Sequence, residues 1–180
     1  ALAEMHRGNT AENFGLDHDN YIGKLHQPND ETNNWIDFFI QYRLEFQLKL
    51  AIKNHLVSND LIDRYRRFYD LLPELLPVNK PSLLHGDMWS GNILFNMNGA
   101  TVIDPALYFG DKEIELAFIM LFDTFGETFF RAYEEVHSLS DDFHEVKVPL
   151  YQIYPLLVHV TLYGDSYIDQ LEQVLKRLKV

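Results

Sequence analysis

Residues 83–95 read LLHGDMWSGNILF, in which two apolar runs flank a polar segment of small residues. A third apolar run, TVID, follows after NMNGA, which contains the dipeptide Asn98-Gly99. An Asn-Gly pair between apolar runs is a strong hairpin signal, because both residues accept the backbone angles of a tight turn. Residues 82–104 are therefore predicted to form a small β-loop-β-hairpin unit.

Helical patterns precede this unit. Apolar residues at three- and four-residue steps predict one helix over residues 33–55 and another over residues 60–72. Ser58 or Asn59 can cap the second helix, since both side chains accept hydrogen bonds from free backbone amides. Pro73 is predicted to mark its end, because proline lacks an amide hydrogen.

Helical patterns also follow the unit. Asp111 is a cap candidate for the segment DKEIELAFIMLF, and a further helix is predicted near residues 127–136. The apolar segment 145–164 contains two prolines, which predict either one kinked helix or two separate pieces. A last amphipathic helix is predicted over residues 167–178. Residues 8–34 are rich in Gly, Asn, Asp and His, which favours an extended, loop-rich stretch.

The chain of 180 residues is thus predicted to be a single, mainly α domain with a small β-hairpin insertion, in the α+β class. Its 47% hydrophobic content is enough for a packed core. The apolar runs are too short to span a membrane, and the start ALAEMHRGNT is unlike a signal peptide. There are no cysteines, which fits a reducing compartment, and we expect a cytoplasmic protein.

The net charge is −12, from 15 Lys and Arg against 27 Asp and Glu. An acidic surface repels phosphate backbones, so binding of DNA or RNA is not expected as the main function. The acidity has a simple interpretation as a source of solubility, and a second one as a preference for cationic substrates.

The polar segment has the spacing of a protein-kinase catalytic loop. His85 and Asp87 stand in an HGD triplet, and Asn92 follows after four residues, as in the kinase pattern H-R-D, four residues, N. Asp104 lies twelve residues further on, at the end of TVID, where kinases place a second metal-binding aspartate. Pro105 follows it in place of the more usual Phe.

A lone HGD triplet is a weak signal, but its conjunction with the Asn-Gly turn and an apolar run ending in Asp is specific. It predicts a phosphotransferase-type site that uses ATP and Mg²⁺, because amide and carboxylate oxygens are the ligands that Mg²⁺ prefers. The alternative is a structural loop or a non-catalytic relative of such enzymes.

The segments LLHGDMWSGNILF, IDPALYFGDKEIELAF and LYQIYPLLVHVTLYG resemble the fructosamine kinase (ketosamine 3-kinase) family, as do LAEMH and IGKLHQPND upstream. That family is related to the aminoglycoside phosphotransferases and has a protein-kinase-like fold. The resemblance implies phosphorylation of the 3-hydroxyl of a ketosamine, a sugar adduct on an amine or a protein lysine, which leads to deglycation. Trp89-Ser90 separates the chain from aminoglycoside and choline kinases, which usually have His-Pro there.

The resemblance also implies roles for single residues. Asp87 is expected to be the catalytic base, and Asn92 and Asp104 are expected to hold Mg²⁺ against the phosphates of ATP. Asp111 is expected to brace the catalytic loop, although it also fits a plain helix cap. His85 is expected to anchor the loop and not to titrate during catalysis.

Trp89 is the candidate for substrate binding, because an indole ring can stack on the face of a sugar. The alternative is that it packs in the core beneath the loop. The polar loop 26–30 and Trp35 are weaker candidates for the same cleft, and for Trp35 a place in the core is the stronger interpretation.

The chain contains neither a G-x-G-x-x-G run nor a V-A-I-K type strand, which form the N-terminal lobe of a kinase. We therefore expect the C-terminal lobe alone, inactive by itself, with an exposed apolar edge that favours self-association. Two other functions stay open. One is a kinase of the same fold for an aminoglycoside, choline or another amino-alcohol, and the other is a non-catalytic binding lobe.

Overall fold

The computed structural model describes residues 1–76, 80–97 and 99–180, and within these the backbone is mainly helical. The α-helices are α1 (Leu2–Gly8), α2 (Trp35–Phe38), α3 (Phe46–Lys53), α4 (Asn59–Leu75), α5 (Lys112–Leu121), α6 (Glu127–Glu134), α7 (Val148–Tyr163) and α8 (Ile168–Arg177). The strands are β1 (Asn20–Ile22), β2 (Leu25–Gln27), β3 (Ser82–Leu84), β4 (Ile93–Asn96), β5 (Gly99–Val102) and β6 (Tyr108–Gly110).

The strands form antiparallel pairs. The predicted hairpin is confirmed by β4 and β5, in which Ile93 pairs with Val102, while Asn98 at its turn lies outside the described residues. Strand β3 pairs with β6, with Leu83 opposite Phe109, and therefore belongs to a separate sheet from the hairpin.

The prediction of a loop-rich stretch at residues 8–34 was incomplete, because it contains the hairpin of β1 and β2. Three-residue strands are too short to show an alternating pattern in the sequence. Gln27 fixes this hairpin: its side-chain amide donates to the Ala106 carbonyl at 3.1 Å, and its side-chain oxygen accepts from the Tyr154 hydroxyl at 2.8 Å.

The helix predicted over residues 33–55 is present as α2 and α3, joined by a π-helical segment at Phe39–Glu45. The Asn34 side chain caps it, accepting from the Ile36 amide at 2.8 Å. Helix α4 begins after Ser58, whose hydroxyl oxygen accepts from the Leu61 amide at 3.2 Å, as predicted.

Pro73 does not end α4, contrary to the prediction. The helix continues to Leu75, and the Leu76 amide still donates to the Leu72 carbonyl at 3.0 Å. The proline removes only its own amide hydrogen, so the last turn forms around it.

Pro149 and Pro155 lie in a single helix, α7, and not in two separate pieces. Pro149 lies in its first turn, where the missing amide hydrogen costs nothing, and Pro155 lies inside the helix. Helix α7 is buried along most of its length, packs against α3, α5 and α8, and ends at Gly164 with φ of 75°. Despite its apolar character, no helix in the described ranges is long and apolar enough to cross a membrane.

Trp35 lies in the core and not in a cleft, since it is only 2% exposed. Its indole N–H donates to the Tyr151 hydroxyl at 2.9 Å, and that hydroxyl donates to the Asp111 carboxylate at 2.7 Å. Asp111 also caps α5, accepting from the Glu113 amide at 3.0 Å, which confirms the cap predicted for it.

A buried ion pair fixes the start of α5. Lys147 Nζ lies 2.5 Å from a carboxylate oxygen of Glu113, and both side chains are almost inaccessible to solvent. Burial acts to raise the pKa of Glu113, but hydrogen bonds from Lys147 and Ser140 outweigh it, and the pKa is lowered from 4.5. The stability from this shift is therefore present above pH 4.5 and lost as pH falls through the lowered pKa.

We predict that Lys147→Met lowers the free energy of unfolding by about 3 to 5 kcal/mol, because it leaves the Glu113 carboxylate buried without its partner. Urea denaturation of the variant measures this. Lys176→Met is the control, since Lys176 and Glu172 form an exposed pair 3.9 Å apart whose loss costs at most about 1 kcal/mol. Equal effects of the two substitutions would contradict the prediction.

Candidate active site

The HGD loop, residues 85–92, connects β3 to β4 and makes a sharp turn at Gly86. Gly86 has φ of +80°, and a Cβ atom there would lie 2.1 Å from the carbonyl oxygen of Ala106. Only glycine fits this position, because the backbones of the loop and of the segment after Asp104 approach too closely for a side chain.

His85 lies beneath the loop, 2% exposed, and ties it to the neighbouring backbone. Its Nε2–H donates to the Ile103 carbonyl oxygen at 3.0 Å, and its Nδ1 accepts from the Asp87 amide at 3.3 Å. Both ring nitrogens are engaged within the protein, so the geometry suits an anchor.

Asp87 and Asn92 are linked directly. The side-chain amide nitrogen of Asn92 donates to the Asp87 carbonyl oxygen at 2.9 Å and to Asp87 Oδ2 at 3.0 Å. The amide oxygen of Asn92 is then the atom that can bind a cation, and Oδ1 is the Asp87 oxygen that can meet a substrate.

The environment makes Asp87 a stronger base than an exposed aspartate. Burial raises the pKa of its carboxyl above the ordinary 3.8, and the charge of Asp104 adds to the rise. The Asn92 hydrogen bond, His85 and His159 act in the opposite direction. Asp87 therefore holds a proton more readily than an exposed aspartate does.

Asp104 follows β5 in the left-handed backbone region, with φ of 52°. Aspartate tolerates this region better than most residues, because its short side chain can hydrogen-bond locally. The Ile103 amide donates to the Asn92 carbonyl at 3.0 Å, which fixes the two segments side by side. Asp104, Asn92 and Asp87 line the same cleft, as their spacing predicted.

The cleft has a volume of about 670 Å³ and two unlike walls. Asp87, Asn92 and Asp104 form the polar wall. The aromatic wall consists of Trp89, Phe122, His159, Tyr163 and Tyr167. Within it, the His159 ring lies 4.9 Å from Phe122 and 4.9 Å from Tyr167, measured between ring centroids. A cleft of this size can hold a small molecule with a polar and an apolar end.

Trp89 lines this cleft and is 43% exposed, which excludes the alternative that it packs in the core. Its ring lies over Gly91, where a Cβ atom would come within 2.3 Å of the indole. The glycine of the loop thus makes room for the tryptophan at the edge of the cleft.

His159 is a residue of the cleft that the sequence reasoning missed. Its Nδ1–H donates to the Pro155 carbonyl at 2.8 Å, which leaves Nε2 as an acceptor. Burial lowers the pKa of His159 below 6.5, against opposing effects of the Pro155 carbonyl and Asp87, so the ring is neutral at pH 7. The sequence feature that could have indicated His159 is its position one helical turn before Tyr163, as a polar residue in an apolar segment.

Glu115 is an acidic side chain that hydrogen-bonds to the HGD loop and that the sequence did not single out. Its Oε1 accepts from the Gly86 amide at 2.7 Å. Asp111, predicted for this bracing role, caps α5 and accepts from Tyr151 at a fully buried position. The two acids lie one helical turn apart at the start of α5, so spacing alone does not separate their roles.

The polar wall resembles an open Mg²⁺ site and not a closed site in which protein side chains supply all the ligands. Within the described ranges, no group of three or more His, Cys, Asp or Glu side chains could hold a metal. Mg²⁺ usually binds one or two protein ligands and completes its shell with waters and substrate phosphates. The amide oxygen of Asn92 and the carboxylate of Asp104, both at an open cleft, fit that pattern.

Comparison with known proteins assigns the chain to a family. The model of the fructosamine kinase family matches residues 1–180. The chain belongs to the fructosamine kinase family. The resemblance predicted from the sequence is thereby confirmed over the whole chain.

Several curated relatives of the chain are named probable ketoamine kinases. The chain is 36% identical to one from Vibrio parahaemolyticus over 179 residues, covering 98% of the chain and 60% of the relative. It is 37% identical to another from Enterococcus faecium, covering 98% of the chain and 64% of the relative. The chain thus spans less than two thirds of the length of these relatives.

Solved structures support the kinase-like fold. A protein from Thermobifida fusca described as a candidate fructosamine-3-kinase matches with a TM-score of 0.90 and 34% identity, over 99% of this chain and 62% of that one. A thermostable mutant of the aminoglycoside phosphotransferase APH(4)-Ia, in complex with AMP-PNP and hygromycin B, matches with a TM-score of 0.57 at 16% identity, over 99% of this chain and 60% of that one. The second likeness is one of fold alone.

We predict that Gly86→Ala lowers the free energy of unfolding by about 2 kcal/mol more than Gly164→Ala, because it adds a clash to an unfavourable backbone angle. Gly164 is a matched control, with φ of +75° and no atom within 4 Å of an added Cβ, against +80° and 2.1 Å at Gly86. Urea denaturation of both variants tests this, and equal losses would contradict the close approach at Gly86.

Proposed function

We propose that this chain is the C-terminal catalytic lobe of an ATP- and Mg²⁺-dependent kinase that phosphorylates the 3-hydroxyl of ketosamines. The acceptors are fructosamine and ribulosamine adducts on amines or protein lysines, and phosphorylation supports deglycation in the cytoplasm. The observation that carries the proposal is the convergence of Asp87, Asn92 and Asp104 on one cleft that aromatic side chains also line.

Asp87 is the proposed catalytic base. Its Oδ2 is held by the Asn92 amide, so Oδ1 is oriented to accept the proton of the acceptor hydroxyl. As that proton moves to Asp87, the 3-oxygen bonds to the γ-phosphorus of ATP and the bond from phosphorus to the bridging oxygen breaks. The raised pKa of Asp87 favours this proton transfer.

Asn92 and Asp104 are the proposed metal ligands, through the amide oxygen and the carboxylate. Mg²⁺ bound there supplies the charge that neutralises the phosphates of ATP. The backbone link between Ile103 and Asn92 keeps both ligands in register before substrate arrives. Such preorganisation matters, because phosphoryl transfer depends on positioning and charge stabilisation more than on covalent chemistry.

The aromatic wall is the proposed acceptor subsite. Trp89 offers an exposed indole face that can cover a sugar ring, and His159 offers a neutral Nε2 that can accept from a sugar hydroxyl. Tyr163 extends this wall, with its ring centroid 5.5 Å from that of His159. His85 and Asp111 stay outside the subsite and support the loop and α5.

Two alternatives are weaker. A kinase of the same fold for an aminoglycoside, choline or another amino-alcohol would suit the net charge of −12 equally well, but family membership and Trp89-Ser90 favour ketosamines. A non-catalytic binding lobe would not need Asp87, Asn92 and Asp104 together in one cleft.

We further propose that the 180 residues transfer phosphate poorly by themselves, because they contain no glycine-rich loop to cover the phosphates. Self-association is proposed through the hairpin of β4 and β5. Its side chains Leu94, Phe95 and Met97 are exposed, and exposed apolar patches favour association.

We predict that Asp87→Asn in the complete gene product lowers kcat for ketosamine phosphorylation by about 10² to 10⁴-fold, the usual loss when a general base is removed. Phosphate transfer to a fructosamine, a ribulosamine, an aminoglycoside and choline measures this, with the 180-residue chain assayed in parallel. Asp141→Asn, at an exposed position, is the matched control and leaves kcat unchanged. Equal use of all acceptors, or activity independent of Asp87, would contradict the proposal.

We predict that Trp89→Ala and His159→Phe each raise KM for the ketosamine by up to about 10-fold, with KM for ATP unchanged, since each removes one weak acceptor contact. The phenylalanine keeps the packing of the imidazole and removes its acceptor nitrogen. His144→Phe repeats the change at an exposed histidine, and steady-state kinetics with each substrate varied measures all three. A rise in the KM of ATP alone would place the nucleotide, and not the sugar, against this wall.

A further inference from the structure

We propose that His6, in α1, is a positioning residue of the active site: it holds the carboxylate of Glu115, which in turn holds the backbone amide next to Asp87. The inference rests on the proposed function only in assigning catalysis to the HGD loop. The hydrogen-bond chain itself is independent of the reaction.

The chain of contacts is continuous and buried. The Tyr133 hydroxyl lies 2.7 Å from His6 Nδ1, His6 Nε2 lies 2.9 Å from Glu115 Oε2, and the Gly86 amide donates to Glu115 Oε1 at 2.7 Å. His6 is 1% exposed, and Tyr133 and Glu115 are 3% exposed. The hydrogen bonds thus link three helices, α6 through Tyr133, α1 through His6 and α5 through Glu115, to the loop.

The directions of these hydrogen bonds follow from the groups on either side of His6, the Tyr133 hydroxyl and the Glu115 carboxylate. Burial raises the pKa of its hydroxyl well above 10, with further contributions from the charges of Glu115, Asp111 and Glu113. The hydroxyl therefore keeps its proton and is able to donate. Because the Glu115 carboxylate only accepts, His6 Nε2 carries the hydrogen between them, and in the neutral tautomer Nδ1 accepts from Tyr133. Each oxygen of Glu115 then has one donor, from His6 or from Gly86.

This network acts on a single peptide unit. The carbonyl of His85 accepts from the Ala106 amide at 2.8 Å, and the amide of Gly86 donates to Glu115 at 2.7 Å, so the peptide between them is held at both ends. Asp87 is the next residue, and rotation of this peptide would redirect its side chain. A displacement of about 1 Å at a reacting group can cost about 100-fold in rate.

If His6 had a purely structural role, a different result would be expected for the loss of His137. Helix α1 has other anchors: His137 Nε2 hydrogen-bonds to the Ala3 carbonyl at 3.1 Å, and the Leu83 amide donates to the Asn9 carbonyl just beyond the helix at 2.9 Å. If His6 served only to attach α1, loss of His137 would have the same effect on the loop as loss of His6.

The test compares His6→Leu, His6→Gln and His137→Leu in the complete gene product. Glutamine can place an amide N–H near the position of Nε2 and retain the donor to Glu115, whereas leucine cannot. We expect His6→Leu to lower kcat by about 10 to 100-fold with both KM values within about twofold of wild type, since positioning affects the reacting geometry more than binding. His6→Gln restores most of kcat, and His137→Leu leaves it unchanged.

A second readout does not depend on activity. Hydrogen exchange of the Gly86 amide, followed by NMR, is slow in the wild-type protein and at least about tenfold faster in His6→Leu, because an untethered carboxylate holds the amide less firmly. His137→Leu leaves it slow. Tyr133→Phe, which removes only the hydroxyl, gives a smaller increase and serves if His6→Leu fails to fold.

The outcomes separate the two claims. If the wild-type protein phosphorylates no ketosamine but the exchange pattern holds, the proposed function fails and the positioning network stands. If exchange at Gly86 is unaffected by His6→Leu and Tyr133→Phe, or if His137→Leu lowers kcat as much as His6→Leu does, the positioning role of His6 is wrong.

Discussion

The peptide unit between His85 and Gly86 is held from both sides, and the position of the HGD loop depends on it. Its carbonyl accepts from the Ala106 amide, its amide donates to Glu115, and Gly86 has room for no side chain. Neither partner is near in sequence, so the loop takes its shape only when α5 and the segment after Asp104 are in place. The fold thereby places Asp87 before any substrate arrives.

The cleft above this loop brings together two unlike groups of side chains. Its polar wall offers the oxygen atoms of Asp87, Asn92 and Asp104, and its aromatic wall offers flat, largely uncharged surfaces. Helix α7 contributes His159 to the cleft, and its Tyr151 hydrogen-bonds to Asp111 and Trp35 in the core. The aromatic wall is therefore built on a helix that is itself anchored in the core.

The sequence was informative wherever function requires a fixed spacing along the chain. The interval between Asp87 and Asn92, the aspartate after the hairpin, and the caps at Ser58 and Asp111 depend on neighbouring residues, and the structure has them as predicted. Four residues selected from the sequence line the same cleft, namely Asp87, Trp89, Asn92 and Asp104.

The features that sequence reasoning missed depend on contacts between distant segments. Glu115 meets the loop 29 residues away, and His6 meets Glu115 across 109 residues, so no local pattern separates them from ordinary helix residues. The short strands β1 and β6 owe their pairing to neighbours that only the tertiary fold provides. A crystal structure of the complete gene product with Mg²⁺, a non-hydrolysable ATP analogue and a ketosamine would show which hydroxyl Asp87 meets. We expect the 3-hydroxyl within hydrogen-bond distance of Asp87 Oδ1 and the sugar against Trp89. A ketosamine bound elsewhere, or one that presents another hydroxyl to Asp87, would contradict this expectation.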